Sequence, residues 1–281
     1  MTAPTPQQQS QAQPDASTAA MMAAYLGASA ALRSRLLAMV AAVYASQGNY
    51  RDAAADAFVA AMVPAVQAAQ QTMGALTSAY LAHLVAGTAG GTAAPIGVPA
   101  DVLSNLRGVD PTEVYRRPYV QVWTDLSQGK SFDDAVAAGG RRAASLAATD
   151  LQMAKVKAAQ VVMHNDERVT GYRRVLTGPH SCALCVLAST RWYSRGDLSP
   201  IHNNCDCAVA PLVGGERPSE VPAEQIHAAV ARDLGDKYVK ASGKGPISYR
   251  DIVVVHDHGE IGPVLTVRGQ HFLGPSDIPG G

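Results

Sequence analysis

Four cysteines and a histidine are gathered in one short window of the chain, and their spacing is suited to binding a metal ion. The window reads HSCALCVLASTRWYSRGDLSPIHNNCDC, from His180 to Cys207, and it holds every cysteine of the 281-residue sequence. It begins with a C-x2-C pair and, sixteen residues later, continues with H-x2-C-x-C. The candidate ligands are Cys182, Cys185, His202, Cys205 and Cys207. Two short donor pairs separated by a dozen or more residues are typical of a structural zinc site.

Tetrahedral zinc takes four protein ligands, whereas this window offers five. Cys182 and Cys185 are the firmest pair, because a C-x2-C turn directs both sulfurs to one point. His202 and Cys205, three residues apart, can also chelate on a turn. Cys205 and Cys207 would share one face of a strand, but at some distance from each other. We therefore expect a structural Zn²⁺ held by the first pair, by His202 and by either Cys205 or Cys207, which the spacing does not separate.

Other thiol chemistry is disfavoured by context. Disulfides require an oxidising compartment, and the N-terminal segment MTAPTPQQQSQAQPDAS has neither the basic region nor the apolar stretch of a secretory signal. A redox pair of the thioredoxin type would begin a helix in a β-α-β unit and would leave the second cluster unexplained. A catalytic zinc is disfavoured because no H-x-E or H-E-x-x-H pattern accompanies these residues. Structural metal binding is the interpretation that uses both clusters.

Weaker candidates for chemistry lie outside the cysteine window. His256 and His258, with Asp257 and Glu260, could form a metal or acid–base cluster, although the polar end of a hairpin explains them better. A modest basic region, RVTGYRR at 168–174 with Arg141, Arg142, Lys155 and Lys157 upstream, fits a solvated helix face as well as a nucleic-acid contact. Lys+Arg and Asp+Glu both number 23, so the net charge gives no global argument for binding nucleic acid. A Ser/His protease could be assembled on paper from His164 or His202, but no spacing selects a serine.

The elements that must position the window begin with an alanine-rich helical body. Helical periodicity is clear from Ser17 to about Ser46, with a stripe at Met21, Tyr25, Ala28, Leu32, Leu36, Val40 and Val43. A second helix is predicted from about Arg51 to Val85, with a kink or break near Pro64. Asp110, Pro111 and Glu113 predict a third helix start, and Ser131 with Asp134 predicts a fourth. A long helix is predicted from Arg141 to about His164, separate from the segment FDDAVAAGG before it.

After Asn165 the pattern changes to short segments rich in β-branched and aromatic residues. RVTGYRRVLTG, TRWYS and CAVAPLV predict strands, so the thiols should lie on turns and strand ends. A helix in PSEVPAEQIHAAVARDLG and two strands in YRDIVVVHDHG and GPVLTVRGQHF follow. The predicted fold class is a mainly α N-terminal region, then a small α+β zinc-stapled module and a short β tail. The predicted divisions are a disordered tail (1–16), a helical region with linker (17–100), a helical body (101–165), the Cys/His module (166–215) and a helix with a β-hairpin tail (216–281).

Charged side chains are scarce in the first hundred residues. No Asp, Glu, Lys or Arg occurs from Ala57 to Ala100, and the commonest residue there is alanine. Pro64, several glutamines and His83 interrupt the apolar character, which argues against a membrane span. We therefore expect these helices to be buried in a helical hairpin or to lie against another subunit.

In the cysteine window the chain resembles the C-terminal region of the MuF-like minor head proteins of tailed bacteriophages. That family shows C-x-x-C, a short strand with aromatic residues, and H-P-x-C-x-C followed by an apolar strand. The corresponding positions are Cys182, Cys185, Trp192, Tyr193, His202, Cys205 and Cys207. Asn203 stands where the family usually has proline, which loosens the turn but removes no donor. The alanine-rich composition and the segment HGEIGPVLTVRG at 258–269 are similar to such proteins in phages of actinobacterial hosts.

This resemblance covers about Asn165 to Val213 and the tail, and it implies a structural minor capsid protein. The implied location is the virion, in the capsid interior at the portal vertex, with the host cytoplasm during assembly. The implied partners are portal and capsid subunits, with packaged DNA as a weaker candidate and no membrane. The implied role is head assembly or DNA packaging and ejection. The sequence offers no catalytic constellation, which favours a non-enzymatic protein. The alternatives are a capsid maturation protease acting on scaffold or major head protein and a zinc-ribbon-like nucleic-acid binder.

Overall fold

The computed structural model of the chain is mainly helical, with a few short strands towards the C-terminus, as the sequence predicts. It describes residues 16–176, 182–195, 207–214, 223–233, 253–258 and 262–267. The predicted tail at 1–16 therefore lies almost wholly outside the described residues. The helices are α1 (Ala16–Ala45), α2 (Asp52–Ala89), α3 (Ala100–Ser104), α4 (Pro111–Ser127), α5 (Phe132–Asn165), α6 (Ala183–Ser189) and α7 (Ala223–Asp233). The strands are β1 (Val169–Val175), β2 (Trp192–Ser194), β3 (Ala208–Val213), β4 (Val253–His258) and β5 (Gly262–Val267).

Both predicted helix starts are confirmed by their capping contacts. The Asp110 carboxylate accepts a hydrogen bond from the backbone N–H of Thr112 at 2.8 Å, and Pro111 is the first residue of α4. The Ser131 hydroxyl accepts from the backbone N–H of Asp134 at 3.1 Å at the start of α5. Each contact satisfies an amide that has no partner inside the helix, which fixes where the helix begins.

The first hydrophobic core lies between α1, α2, α4 and α5. The predicted stripe of α1 faces this body: Tyr25, Leu32, Leu36 and Val40 are buried, and Met21, Ala28 and Val43 are half-buried. At one end the core is aromatic, with the rings of Tyr44, Phe58 and Tyr119 within 6 Å of one another between centroids. Such edge-on and tilted contacts add to the burial of the rings themselves. The low charge of the N-terminal half is thus partly explained by an ordinary helical core.

Helix α2 is the centre of this body, whereas α1 lies on its outside. Helix α2 packs on α1, α4 and α5, runs unbroken through Pro64, and buries residues along its length from Ala54 to Val85. The predicted break near Pro64 is therefore wrong. Helix α1 buries only one side, and its other side is mostly exposed alanine. By length and composition the stretch Ala19–Ala45 could also cross a membrane, and 22% of its most apolar window is buried within the fold.

Helix α5 is longer than predicted, because it continues through Gly139 and Gly140 to join FDDAVAAGG with the segment after it. The prediction that these two segments are separate is wrong, and the reason is physical. Glycine is a poor helix former, but here it allows three helices to approach closely. A Cβ on Gly139 would lie 2.8 Å from the carbonyl oxygen of Pro118 in α4 and 2.6 Å from a methyl group of Val122. The Tyr44 side chain of α1 occupies the same space, and its hydroxyl donates to the carbonyl of Val136 at 3.1 Å.

A buried ion pair attaches the connection between α3 and α4 to the middle of α5. The Arg107 guanidinium donates to the Asp150 carboxylate at 2.6 Å, and the two side chains are 5% and 7% exposed. The Tyr115 hydroxyl donates to the other oxygen of Asp150 at 2.7 Å. Burial and the neighbouring carboxylate raise the pKa of Tyr115 well above its usual value, so it stays a donor. A buried carboxylate is tolerated here because both of its oxygens accept hydrogen bonds.

The strands form two small sheets, one of which packs on the end of the helical body. The three-stranded sheet has the order β2-β1-β3, and both neighbours of β1 are antiparallel to it. A second core joins this sheet to α1, α2 and α5, with members such as Tyr80, Val162, Tyr172 and Ala208. Strands β4 and β5 form an antiparallel hairpin, and its inward residues share a third core with α6 and α7. The hairpin and all three strands of the first sheet were predicted.

The close approach at Gly139 yields a test with an internal control. Gly139→Ala should lower the free energy of unfolding by about 2 kcal/mol or more, because backbone and branched side chains surround the site. Gly27→Ala lies in α1, where the added methyl group would meet no other atom within 4 Å, so it should raise this free energy by up to about 1 kcal/mol. Urea unfolding followed by circular dichroism measures both. Equal effects of the two substitutions would contradict the packing described for α5.

Candidate metal centre

The site is built on β1, which begins immediately after α5. Asp166 caps the turn between them: its carboxylate accepts from the backbone N–H of Arg168 at 3.1 Å and from its guanidinium at 2.9 and 2.7 Å. These hydrogen bonds from Arg168 hold the pKa of Asp166 below its usual value. The turn thereby sets the direction in which β1 leaves the helical body.

Strand β2 is drawn close to β1 by one small residue and one aromatic pair. The backbone carbonyl oxygen of Tyr193 would lie only 2.6 Å from a Cβ on Gly171, so no larger residue fits at that position. Next to it, the rings of Tyr172 and Tyr193 stack at 5.0 Å between centroids. The Tyr193 hydroxyl donates to the carbonyl of Ala188 at 2.8 Å, which ties β2 to α6. This arrangement fixes the helix that carries the first cysteine pair.

The C-x2-C pair lies at the start of α6, a short helix that was not predicted from the sequence. Cys182 is the N-cap residue, and its sulfur accepts a hydrogen bond from the backbone N–H of Cys185 at 3.4 Å. Cys182 is half-buried, whereas Cys185 lies inside the helix and is only 4% exposed. The expectation that all thiols lie on turns and strand ends is therefore wrong for Cys185. It fails because ALCVLAS is apolar up to Ser189 and buried on every side, so it shows no helical periodicity.

Cys207 lies directly before β3 and contacts a buried arginine. A guanidinium nitrogen of Arg174, on β1, lies 3.4 Å from the Cys207 sulfur in hydrogen-bonding geometry. Arg174 is 3% exposed and Cys207 is 6% exposed, and the same guanidinium lies over the ring of Tyr193 at 5.9 Å. Cys207 and Cys185 belong to one hydrophobic core, and Cys182 packs against it. The described thiols therefore share one region of the fold.

Of the five predicted ligands, the structure describes three, while His202 and Cys205 lie outside the described residues. Within the described ranges, no three Cys, His, Asp or Glu side chains come together as a group that could hold a metal ion. Cys182, Cys185 and Cys207 are also not joined to one another by disulfide bonds. The zinc site thus stays a prediction, with its first pair and its last sulfur now placed in the fold.

The donor chemistry of the described residues fits a structural zinc ion. Sulfur is a preferred zinc ligand, and an amide N–H directed at a cysteine sulfur stabilises the thiolate that zinc requires. The redox interpretation gains one feature, since the pair does begin a helix after a strand. It lacks the β-α-β unit that such a pair requires. Strand β1 pairs antiparallel with both β2 and β3, so the described strands form no such unit. Cys182 and Cys185, with His202 and one further sulfur, are the residues that would hold the ion.

The weaker candidates receive no support from the described part of the chain. His256 is exposed on β4, and His258 ends the same strand, as a polar hairpin end would require. Glu260 lies outside the described residues, so their proposed cluster is only partly described. The basic region at 168–174 is not one solvated face, because Arg168 binds Asp166 and Arg174 is buried. The stretch 168–174 begins after α5 and lies mainly on β1, whereas Arg141, Arg142, Lys155 and Lys157 lie on α5, so a helix face can account only for these upstream residues.

The burial of Arg174 was not predicted from the sequence. A signal for it was present: Tyr172 and Arg174 are two apart, so in a strand they point to the same side. Once Tyr172 is assigned to the core, Arg174 must be inside as well. The dipeptide Arg173-Arg174 instead suggested an exposed basic region, because arginine is rarely buried.

Comparison with protein-family models, with curated proteins and with solved structures finds no match to this chain. The resemblance noted in the sequence therefore depends on the residues of the cysteine window and on the tail segment 258–269.

The turn at Asp166 predicts a pH dependence of stability. Because its folded pKa is lowered, the carboxylate contributes stability above its ordinary pKa, near 4, and loses it as the pH falls through the lower folded value. Asp166→Asn should therefore be less stable than the wild type at pH 6, with the difference shrinking towards pH 3. Urea unfolding at a series of pH values measures it. A difference that is independent of pH would contradict the role given to Asp166.

Proposed function

We propose that this chain is a non-enzymatic minor head protein of a tailed bacteriophage, located near the portal and acting in head assembly or in DNA packaging and ejection. The observation that carries the proposal is the spacing C-x2-C, then H-x2-C-x-C, spread over one small antiparallel sheet. The first pair lies between β1 and β2, and the last sulfur lies directly before β3. A metal bound by both clusters would join the two connections that flank β2.

The small size of the C-terminal module explains why it would need a bound metal ion for stability. Strand β2 has three residues, α6 has seven, and neither forms a large core by itself. A structural zinc ion supplies folding free energy on the order of several kcal/mol, because the ligand set exists only in the folded state. Cys182, Cys185, His202 and either Cys205 or Cys207 would hold it. The fold of the protein itself brings α6 and the start of β3 together next to β1.

Helix α1 supports the proposed docking on head subunits. Its buried side packs on α2 and α5. Its exposed side consists mostly of small side chains and carries little charge over the 30 residues of the helix. Alanine allows another helix to approach closely, and an outer face so poor in charge is unusual for a solvent-exposed helix. Portal or capsid subunits are the partners proposed for this face. The packaged DNA is a weaker partner, since Lys+Arg and Asp+Glu are equal in number.

The metal part of the proposal is tested by metal analysis and proteolysis of the purified full chain. We expect about one zinc per chain, because the two clusters supply the four ligands of one ion. Removing it with a chelator should make the region around β1 to β3 sensitive to protease, while the α1–α5 body stays resistant. Restoring zinc should restore protection. If the purified protein contains no stoichiometric zinc, or if chelation leaves proteolysis unchanged, the proposed structural zinc site is wrong.

The docking part is tested by incorporation into phage heads. Ala31→Glu puts a charge on the exposed face of α1, so it should reduce the amount of protein in purified heads at least about tenfold, the effect of roughly 1.4 kcal/mol. Ala137→Glu, on an exposed position of α5, is the matched control and should incorporate as wild type does. Circular dichroism of both variants checks folding. Equal incorporation of the two variants would contradict docking through α1. In a separate assay, specific cleavage of scaffold or major head protein by the purified chain would favour the protease alternative.

A further inference from the structure

Helix α1 is held against the helical body in two different ways along its length. Residues 32–45 contribute four large side chains to the first hydrophobic core, namely Leu32, Leu36, Val40 and Tyr44. Among the side chains described at 17–31, only those of Tyr25 and Ser29 are buried, and serine adds little apolar area. Because buried apolar area is the main source of packing free energy, the second half of α1 is held more firmly than the first half.

The contact between the first half of α1 and α2 is centred on two tyrosines. The rings of Tyr25 and Tyr80 stack at 4.1 Å between centroids, and the hydroxyl groups of Tyr25 and Thr77 share a hydrogen bond of 3.1 Å. The Tyr80 hydroxyl is buried and has no hydrogen-bond partner among the described residues. Ser29, one turn after Tyr25 on the same side of α1, buries a second hydroxyl of this kind. Both hydroxyl groups are penalised while α1 covers them, because water would hydrate them if α1 moved away.

We infer that the first half of α1, the strap at residues 16–31, opens from α2 as a unit while residues 32–45 stay packed. Opening exposes little apolar surface and hydrates the two buried hydroxyl groups, so it requires much less free energy than global unfolding. A released helix of this length is marginal in water, so the strap also loses its helical hydrogen bonds when it opens. The movement uncovers the side of α2 that carries Thr77 and Tyr80. The strap is thus a conformational device built into the helical body.

Amide hydrogen exchange of the full chain, followed by mass spectrometry, tests whether the strap opens by itself. The first four amides of a helix have no partner inside it, so the comparison is between residues 20–31 and residues 32–45. We expect the amides at 20–31 to exchange at least about tenfold faster, because they exchange through the local opening. Equal protection of the two halves of α1 overturns the inference.

Two substitutions of tyrosine by phenylalanine test the cause, because each removes one hydroxyl group from the same stacked pair. Tyr80→Phe removes a buried hydroxyl without a hydrogen-bond partner, so it should slow exchange at 20–31 at least about fivefold. Tyr25→Phe removes the hydrogen bond to Thr77, so it should accelerate exchange there about fivefold. Tyr50→Phe, in the connection between α1 and α2, is the control and should leave exchange at 20–31 unchanged. Circular dichroism checks that the variants fold, and a folded Tyr80→Phe variant whose exchange is not slowed overturns the inference.

Discussion

The contact between the helical body and the β2-β1-β3 sheet is the constraint on which the two halves of the fold depend. Its core contains side chains from the later part of α2, the last turns of α5 and the strands β1 and β3. Because α5 leads into β1 after a short turn, the position of the long helix determines where the sheet begins. Asp166 then sets the turn through its hydrogen bonds to Arg168. The position of the cysteine region is therefore set both by the turn between α5 and β1 and by the packing of the sheet on α2.

The sequence could predict the helical body because its signals are local. A stripe at spacings of three and four marks α1, and the capping residues Asp110 and Ser131 mark the starts of α4 and α5. The continuity of α5 could not be predicted, since its cause lies in α1 and α4. Gly139 is a helix breaker by propensity, but the side chain of Tyr44 and the backbone of Pro118 leave room for nothing larger. Tertiary packing overrides local propensity there.

The candidate site was predictable in its residue types and only partly in its geometry. Spacing alone identifies two donor clusters, and the strand pattern correctly predicts β1, β2 and β3 around them. Helix α6 was missed because an apolar segment of seven residues is buried on every side and has no periodicity to read. The buried position of Arg174 was missed because it depends on which side of β1 faces the core, a property of the sheet and not of the dipeptide.

The contact between Arg174 and Cys207 shows how the sheet sets the surroundings of a cysteine in the window. A buried strand end places a sulfur wherever the alternation of side chains directs it, and there the sulfur must satisfy its nearest polar neighbour. For Cys207 that neighbour is a guanidinium on the adjacent strand, in a core that also contains Cys185. The sulfur thereby gives the buried guanidinium a polar contact inside the core, which lowers the cost of burying its charge.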